Sequence, residues 1–170
     1  MSRRHLAVTV TAVGLLCSSA VAAAHADSPA LGRLSGTFDV TGKVTQSTNG
    51  EPVGTTWVRP FKFVPQCASG ACPTMSIRTR GDGVVVKNLL SPTLNSYKGT
   101  KTYLGACFLH NGTQVANAYT YTETTTITPI KAGPNVTTFT GSLKFVAKPT
   151  AIGVAKNCGY STETLTLNHK

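Results

Sequence analysis

An all-β fold is predicted by three observations. Beyond the first 26 residues, no window of helical length carries apolar residues at three-and-four spacing without many β-branched residues or glycines. Short runs instead alternate apolar and polar residues at a period of two, and turn residues punctuate them. Charged residues make up only 13% of the chain, while threonine, valine and aromatic residues are frequent, which argues against disorder and for a compact sheet. About eight or nine strands joined by short turns fit an antiparallel up-and-down barrel or a two-sheet sandwich, and the meander-like local connections favour the barrel.

The chain opens with a segment that does not belong to the fold. Arg3 and Arg4 precede an apolar run from Leu6 to Ala24, and Ala24-His25-Ala26 supplies small residues for cleavage before Asp27. Residues 1–26 therefore read as a secretory signal peptide, which places the mature protein outside the cell with no transmembrane segment after processing. Thr9, Thr11, Ser18 and Ser19 dilute the run too much for a membrane anchor, and Leu16 before Cys17 disfavours a lipid-modified cysteine. Ser2-Arg3-Arg4 also suits twin-arginine export, so the export route stays open. Removing 26 of 170 residues leaves 144, enough for one domain with a real core. Residues 27–35 read as a polar leader and 36–170 as a single β domain.

Taken in order, the clearest strand is Gly36 to Gln46, where Phe38, Val40 and Val44 alternate with Thr37, Asp39, Thr41 and Lys43. A turn cluster, Ser47 to Pro52, leads into a hairpin whose first arm has Trp57, Phe61 and Phe63 on one parity and whose second has Met75 and Ile77 on one parity. These two sets are expected to face inward. Arg80-Gly81-Asp82-Gly83 turns the chain into a strand from Val84 to Leu90, which Ser91-Pro92 ends. A looser segment from Tyr97 runs into Leu104 to His110. Asn111-Gly112 then predicts a type I′ hairpin turn, because both central positions of that turn need positive φ. The threonine-rich run from Val115 to Ile127 carries Tyr119 and Tyr121 on one parity and stops at Pro129. Val136 to Ala147 aligns Phe139, Leu143 and Phe145, and Pro149 to Asn157 reads as irregular. The last strand carries Tyr160, Leu165 and Leu167, with a parity change that predicts a bulge.

Four cysteines remain after processing, Cys67, Cys72, Cys107 and Cys158, and they allow three pairings. Neighbours are expected to pair, Cys67 with Cys72 and Cys107 with Cys158. In the chain-entropy model the short loop is worth only ~2 kcal/mol and the longer one ~4 kcal/mol. The ligand spacing is poor for zinc, so no metal is expected.

The opening Gly36-Thr37-Phe38-Asp39-Val40, the run Phe63-Val64-Pro65-Gln66-Cys67 with Cys72 after it, and the late Cys107 and Cys158, together with the signal, resemble small secreted β-rich, disulfide-bonded proteins of actinobacteria. The resemblance covers most of the mature chain. It implies secretion and disulfides and implies nothing about catalysis.

Chemistry-bearing motifs are missing from the sequence. There is no G-x-S-x-G, no H-E-x-x-H and no phosphate-cradling glycine loop, so no cofactor and no enzymatic activity are expected. Glu123 is the best acid, since Tyr119 and Tyr121 share its parity, although the plainer reading makes it a charge at a strand rim. Cys107 and His110, three apart on a strand, point to opposite faces and do not make a nucleophile and base. Arg80-Gly81-Asp82 matches an adhesion tripeptide made of common turn residues.

Two binding features remain. If the fold is a barrel, Trp57, Arg59, Tyr119, Tyr121 and Glu123 would line an internal cavity for a small ligand, although Pro60 suggests an edge or bulge that turns Arg59 to solvent. The charge is the other feature. The formal charge of +10 falls to +8 when Arg3 and Arg4 leave, and Arg78, Arg80, Lys98 and Lys101 are spaced to form a surface for anionic cell-envelope polymer or lipid. No specific nucleic acid is expected. The expected function is therefore a secreted, non-enzymatic binding or envelope-interaction module. The alternatives are a calyx for a small ligand, a protease inhibitor presenting Cys72 to Met75, and, last, a hydrolase.

Overall fold

In the computed structural model, which describes residues 31–48, 50–80 and 83–170, the alternating runs become eight strands among the described residues. They are β1 (Gly36–Ser47), β2 (Thr56–Pro65), β3 (Thr74–Thr79), β4 (Val85–Pro92), β5 (Tyr97–Phe108), β6 (Gln114–Pro129), β7 (Phe139–Pro149) and β8 (Ser161–His169). Each pairs antiparallel with the next, and β8 returns to β1, which closes an up-and-down barrel and excludes the sandwich. The signal peptide, Cys17, residues 27–30, Asn49 and the Gly81-Asp82 of the adhesion-like tripeptide lie outside the described residues.

Every odd-numbered strand starts at one end of the barrel and every even-numbered strand at the other, so the inward residues sort by height. At the first end Val40, Phe61, Phe63, Leu90, Tyr97, Ile127, Phe139, Leu143, Leu165 and Leu167 fill the lumen, none more than 2% exposed. Burying each such side chain is worth roughly 1.5–3 kcal/mol. Phe38 packs edge-on to Phe139 at 5.5 Å, and Phe63 meets Phe139 at 5.9 Å. This end is closed by the chain itself.

Residues 31–35, read from sequence as leader, supply the closure. Leu34 is fully buried against the core, and Arg33 bridges in parallel to Asn135. The Tyr97 hydroxyl donates to Gly32 O at 2.7 Å and accepts from Leu34 N at 3.3 Å, while Arg33 donates to Cys67 O at 2.7 Å. Gly32, Arg33 and Leu34 are thus stitched to the barrel floor. Burial raises the Tyr97 phenol above the ordinary tyrosine range, against the hydrogen bonds made with backbone at Leu34 and Cys72.

The two disulfides form as the spacing predicts, and the barrel carries one at each end. Cys67–Cys72 closes the β2–β3 loop beside the plug, with Cα atoms 6.2 Å apart. Cys107–Cys158 ties the end of β5 to the β7–β8 connection. Within that connection the residues expected to be irregular form a short helix, α1 (Ala151–Ala155). Thr150 caps it by accepting from Gly153 N, and buried Gly153 lies where an added Cβ would overlap Ala118 O. Five residues are too few for a helical period to be read.

Three further local expectations are corrected. In β3 the inward residues are Thr74, Ser76 and Arg78, all buried, and Met75 and Ile77 are the half-buried outer set. The polar inner face is tenable because it finds partners: Thr74 donates to Cys72 O at 3.0 Å, and Arg78 reaches Glu123. At Asn111-Gly112 only Gly112 has positive φ, and Gly112 N donates to Leu109 O at 2.8 Å. The turn is therefore a longer one ending in a glycine bulge, not type I′. The irregularity expected in the last strand appears on its neighbour, as a register shift between Val44 and Gln46 of β1 opposite β8.

Candidate functional site

The inward residues of the opposite end are as large as those of the plug and leave the lumen open. Trp57 on β2 sits opposite Gly42 of β1, and an added Cβ at Gly42 would overlap the indole, so the ring lies flat along the wall. Tyr121 on β6 lies in the same way over Gly105 of β5, parallel to Tyr103 with centroids 5.5 Å apart. Tyr119 meets Tyr121 edge-on at 5.5 Å. What remains between the walls is a cavity of about 670 Å3.

Its cationic groups come from β2, from β3 and from Arg80 just beyond β3. Arg59 is half-buried and faces the lumen, with its guanidinium 4.7 Å from the Trp57 ring centre. The expected turn toward solvent does not occur, because β2 is flanked by β1 and β3, and Pro60 falls just beyond the last β2–β3 pair, Phe61 with Arg78. Arg80 covers both Tyr103 and Tyr121, at 5.6 and 5.7 Å, and donates to the Tyr103 hydroxyl at 3.4 Å. Burial raises the Tyr103 phenol above the ordinary range, and Glu123 nearby adds to the effect, with Arg80 and Arg78 opposing it.

Beneath the cavity lies a polar tier. Arg78, only 5% exposed, donates from NH2 to Glu123 Oε2 at 2.5 Å across the lumen, and its Nε has no hydrogen-bond partner. The guanidinium is sandwiched between Phe145 at 5.4 Å and Phe61 at 5.9 Å. Thr125 donates to Glu123 Oε1 at 3.5 Å, and Asn88 donates to Thr125 at 3.2 Å. Asn88 on β4 reaches β6 past β5 because the intervening residue, Gly99, has no side chain.

The placement of the sequence candidates follows from this. Trp57, Arg59, Tyr119 and Tyr121 share the cavity wall. Glu123, read as a rim charge, is instead 1% exposed below the cavity and bound to Arg78. Arg78 and Arg80, assigned to an anionic-binding outer surface, are both turned into the lumen, and only Lys98 and Lys101 of that set are exposed. The four do not form one stripe. The error follows from the inverted face of β3, since taking Met75 and Ile77 as inward puts both arginines outside.

Sequence reasoning also missed Tyr103 and Glu163, which line the same cavity, as does Phe145 from the face expected of it. Tyr103 was detectable, being on the parity of Tyr97, whereas Glu163 carries no local signal. Among the described residues no helix is long and apolar enough to cross a membrane. No protein-family model, curated protein or solved structure matches this chain.

Proposed function

We propose that the protein is a secreted, non-enzymatic binding module that holds one small ligand in the open end of its barrel. The cavity carries this reading. Barrels of eight strands are wide enough either to be filled by side chains or to hold one small ligand, and ligand sites run roughly 300–1,000 Å3. At about 670 Å3 the open end falls in that range, while the other end is packed solid. Its walls combine flat aromatic faces with a few guanidinium groups, the mixture of apolar area and sparse polar anchors typical of such sites. Export is supported by the signal-like first 26 residues and by two disulfides, which persist in oxidising compartments.

The other readings lose ground on geometry. Thr74 is fully buried and Met75 half-buried in β3, so the Cys72 to Met75 segment is not presented to a protease. Envelope binding through the surface centred on Arg78, Arg80, Lys98 and Lys101 loses its two arginines to the lumen, and the exposed lysines that remain, Lys144 and Lys148 among them, are spread over several strands.

Trp57, the single tryptophan, lines the cavity and reports on it. Titration with the neutral dye Nile red should quench or shift Trp57 emission with one-site stoichiometry, and Ala106→Phe, which places a large ring on the cavity lining, should abolish the response. Unchanged dye binding in Ala106→Phe would place the dye outside the barrel and end the reading.

A further inference from the structure

We propose that the cavity selects ligands carrying one anionic head group on an apolar body, and that Arg59 and Arg78 receive the head. The proposal rests on the cavity reading above and names its ligand class. Arg78 is the main observation. It lines the cavity at 5% exposure, one side of its guanidinium is engaged by Glu123, and its Nε–H makes no hydrogen bond. A buried guanidinium with an unmet donor is costly, and because Arg78 lines the cavity, a small shift of its side chain toward a bound acceptor would satisfy the buried Nε–H.

Arg59 adds a second donor group on the same side of the barrel. It comes from β2, next to β3, and is held over Trp57 with no carboxylate paired to it among the described residues. Stacking fixes the plane of the guanidinium and leaves its edge available, the geometry in which arginine binds carboxylate or phosphate oxygens in pairs. Facing these groups, four strands away from β3, β7 presents Leu143, Phe145 and Ala147. The lumen therefore carries guanidinium groups on β2 and β3 and apolar side chains on β7, with the Glu163 carboxylate beside Phe145 on β8.

Carboxylates also line it. Glu123 is engaged by Arg78, while Glu163 comes from β8 and Glu51 from the β1–β2 loop, away from β3. A head group is drawn to the arginine side and its body to β7. A cationic head would have to be held by Glu163 or Glu51, which makes the sign of the preferred charge a decisive measurement.

The test compares octanoate, 1-octanol and octylammonium on the whole secreted protein, by Trp57 emission and titration calorimetry. Octanoate should bind at least about tenfold more tightly than 1-octanol, as expected for a charge-assisted pair, and octylammonium no more tightly than 1-octanol. In Arg59→Gln, with an unchanged circular dichroism spectrum, octanoate should weaken about tenfold and 1-octanol should not. Equal binding of octanoate and 1-octanol, or a preference for octylammonium, overturns the head-group assignment and leaves the cavity reading intact. Binding of none of the three overturns both.

Discussion

Above and below the Arg78–Glu123 pair, the same eight strands carry aromatic residues of similar size, yet one half of the lumen is full and the other hollow. In the closed half Phe38, Phe63 and Phe139 reach across the centre and meet ring to ring at 5.5–5.9 Å. In the open half Trp57 and Tyr121 lie against the wall, each over a glycine of the neighbouring strand. Side-chain volume alone therefore does not decide whether a small barrel has a cavity. Where a neighbouring strand offers glycine, the ring folds onto the backbone and the centre stays open.

The boundary between the halves is the position most sensitive to substitution. Glu123→Gln leaves a buried guanidinium without its counter-charge and should cost about 3–5 kcal/mol, read as a lowered midpoint in urea unfolding. Replacing both partners, Arg78→Met with Glu123→Met, should recover most of that loss or exceed wild type, because two apolar side chains extend the packed half upward. If the single and double variants are equally unstable, the pair is not the boundary described here.

The halves should also differ in what a truncation does. Leu34→Ala removes a fully buried plug residue and should destabilise by about 2–5 kcal/mol. Arg59→Gln, half-buried on the hollow side, should stay within about 0.5 kcal/mol of wild type in the same unfolding experiment. Comparable losses from the two would mean that the open half is structural after all.

The smallest effect is a pH dependence. Tyr97 in the plug and Tyr103 in the cavity wall both have phenols raised by burial, Tyr103 further by Glu123. The folded state therefore holds these protons more tightly than the unfolded chain. Stability should be flat below the ordinary tyrosine value near ~10 and fall as pH rises through it toward the raised folded values. Unfolding midpoints measured at intervals from pH ~8 to ~11 check this. Tyr103→Phe should make the fall shallower, and an unchanged slope would remove Tyr103 as a contributor.

Much of the barrel was legible because most strands obey one rule, apolar inward and polar outward. Phe38, Val40 and Val44 on β1, Phe61 and Phe63 on β2, and Phe139, Leu143 and Phe145 on β7 announce their faces. β3 breaks that rule, since Thr74, Ser76 and Arg78 face a polar tier that other strands create. The partner of Arg78 lies 45 residues away, and no local pattern announces such a pair. For the same reason the aromatic wall was partly readable from the parity of Tyr119 and Tyr121, with Arg59 beside Trp57, whereas Arg78 and Arg80 were read as outer surface. The plug, too, was hidden, because Leu31 to Ser35 owes its structure to Tyr97, Asn135 and Cys67 and to no pattern of its own.

One ladder differs from the rest. β4 and β5 share only the pairs Ser91 with Lys98 and Pro92 with Tyr97, whereas β5 and β6 share eleven. The barrel is thus a rolled sheet with one thin seam, held by two pairs where its neighbour has eleven. If the sheet parts, it should part there first, and a parted seam would offer strand edges to which a second molecule can add. Lys87, Lys98 and Lys101 stand exposed beside it, and their mutual repulsion between two copies is the ordinary safeguard against such zipping. The lysines that looked like an attractive surface thus stand where charge would discourage two copies from joining at a parted seam.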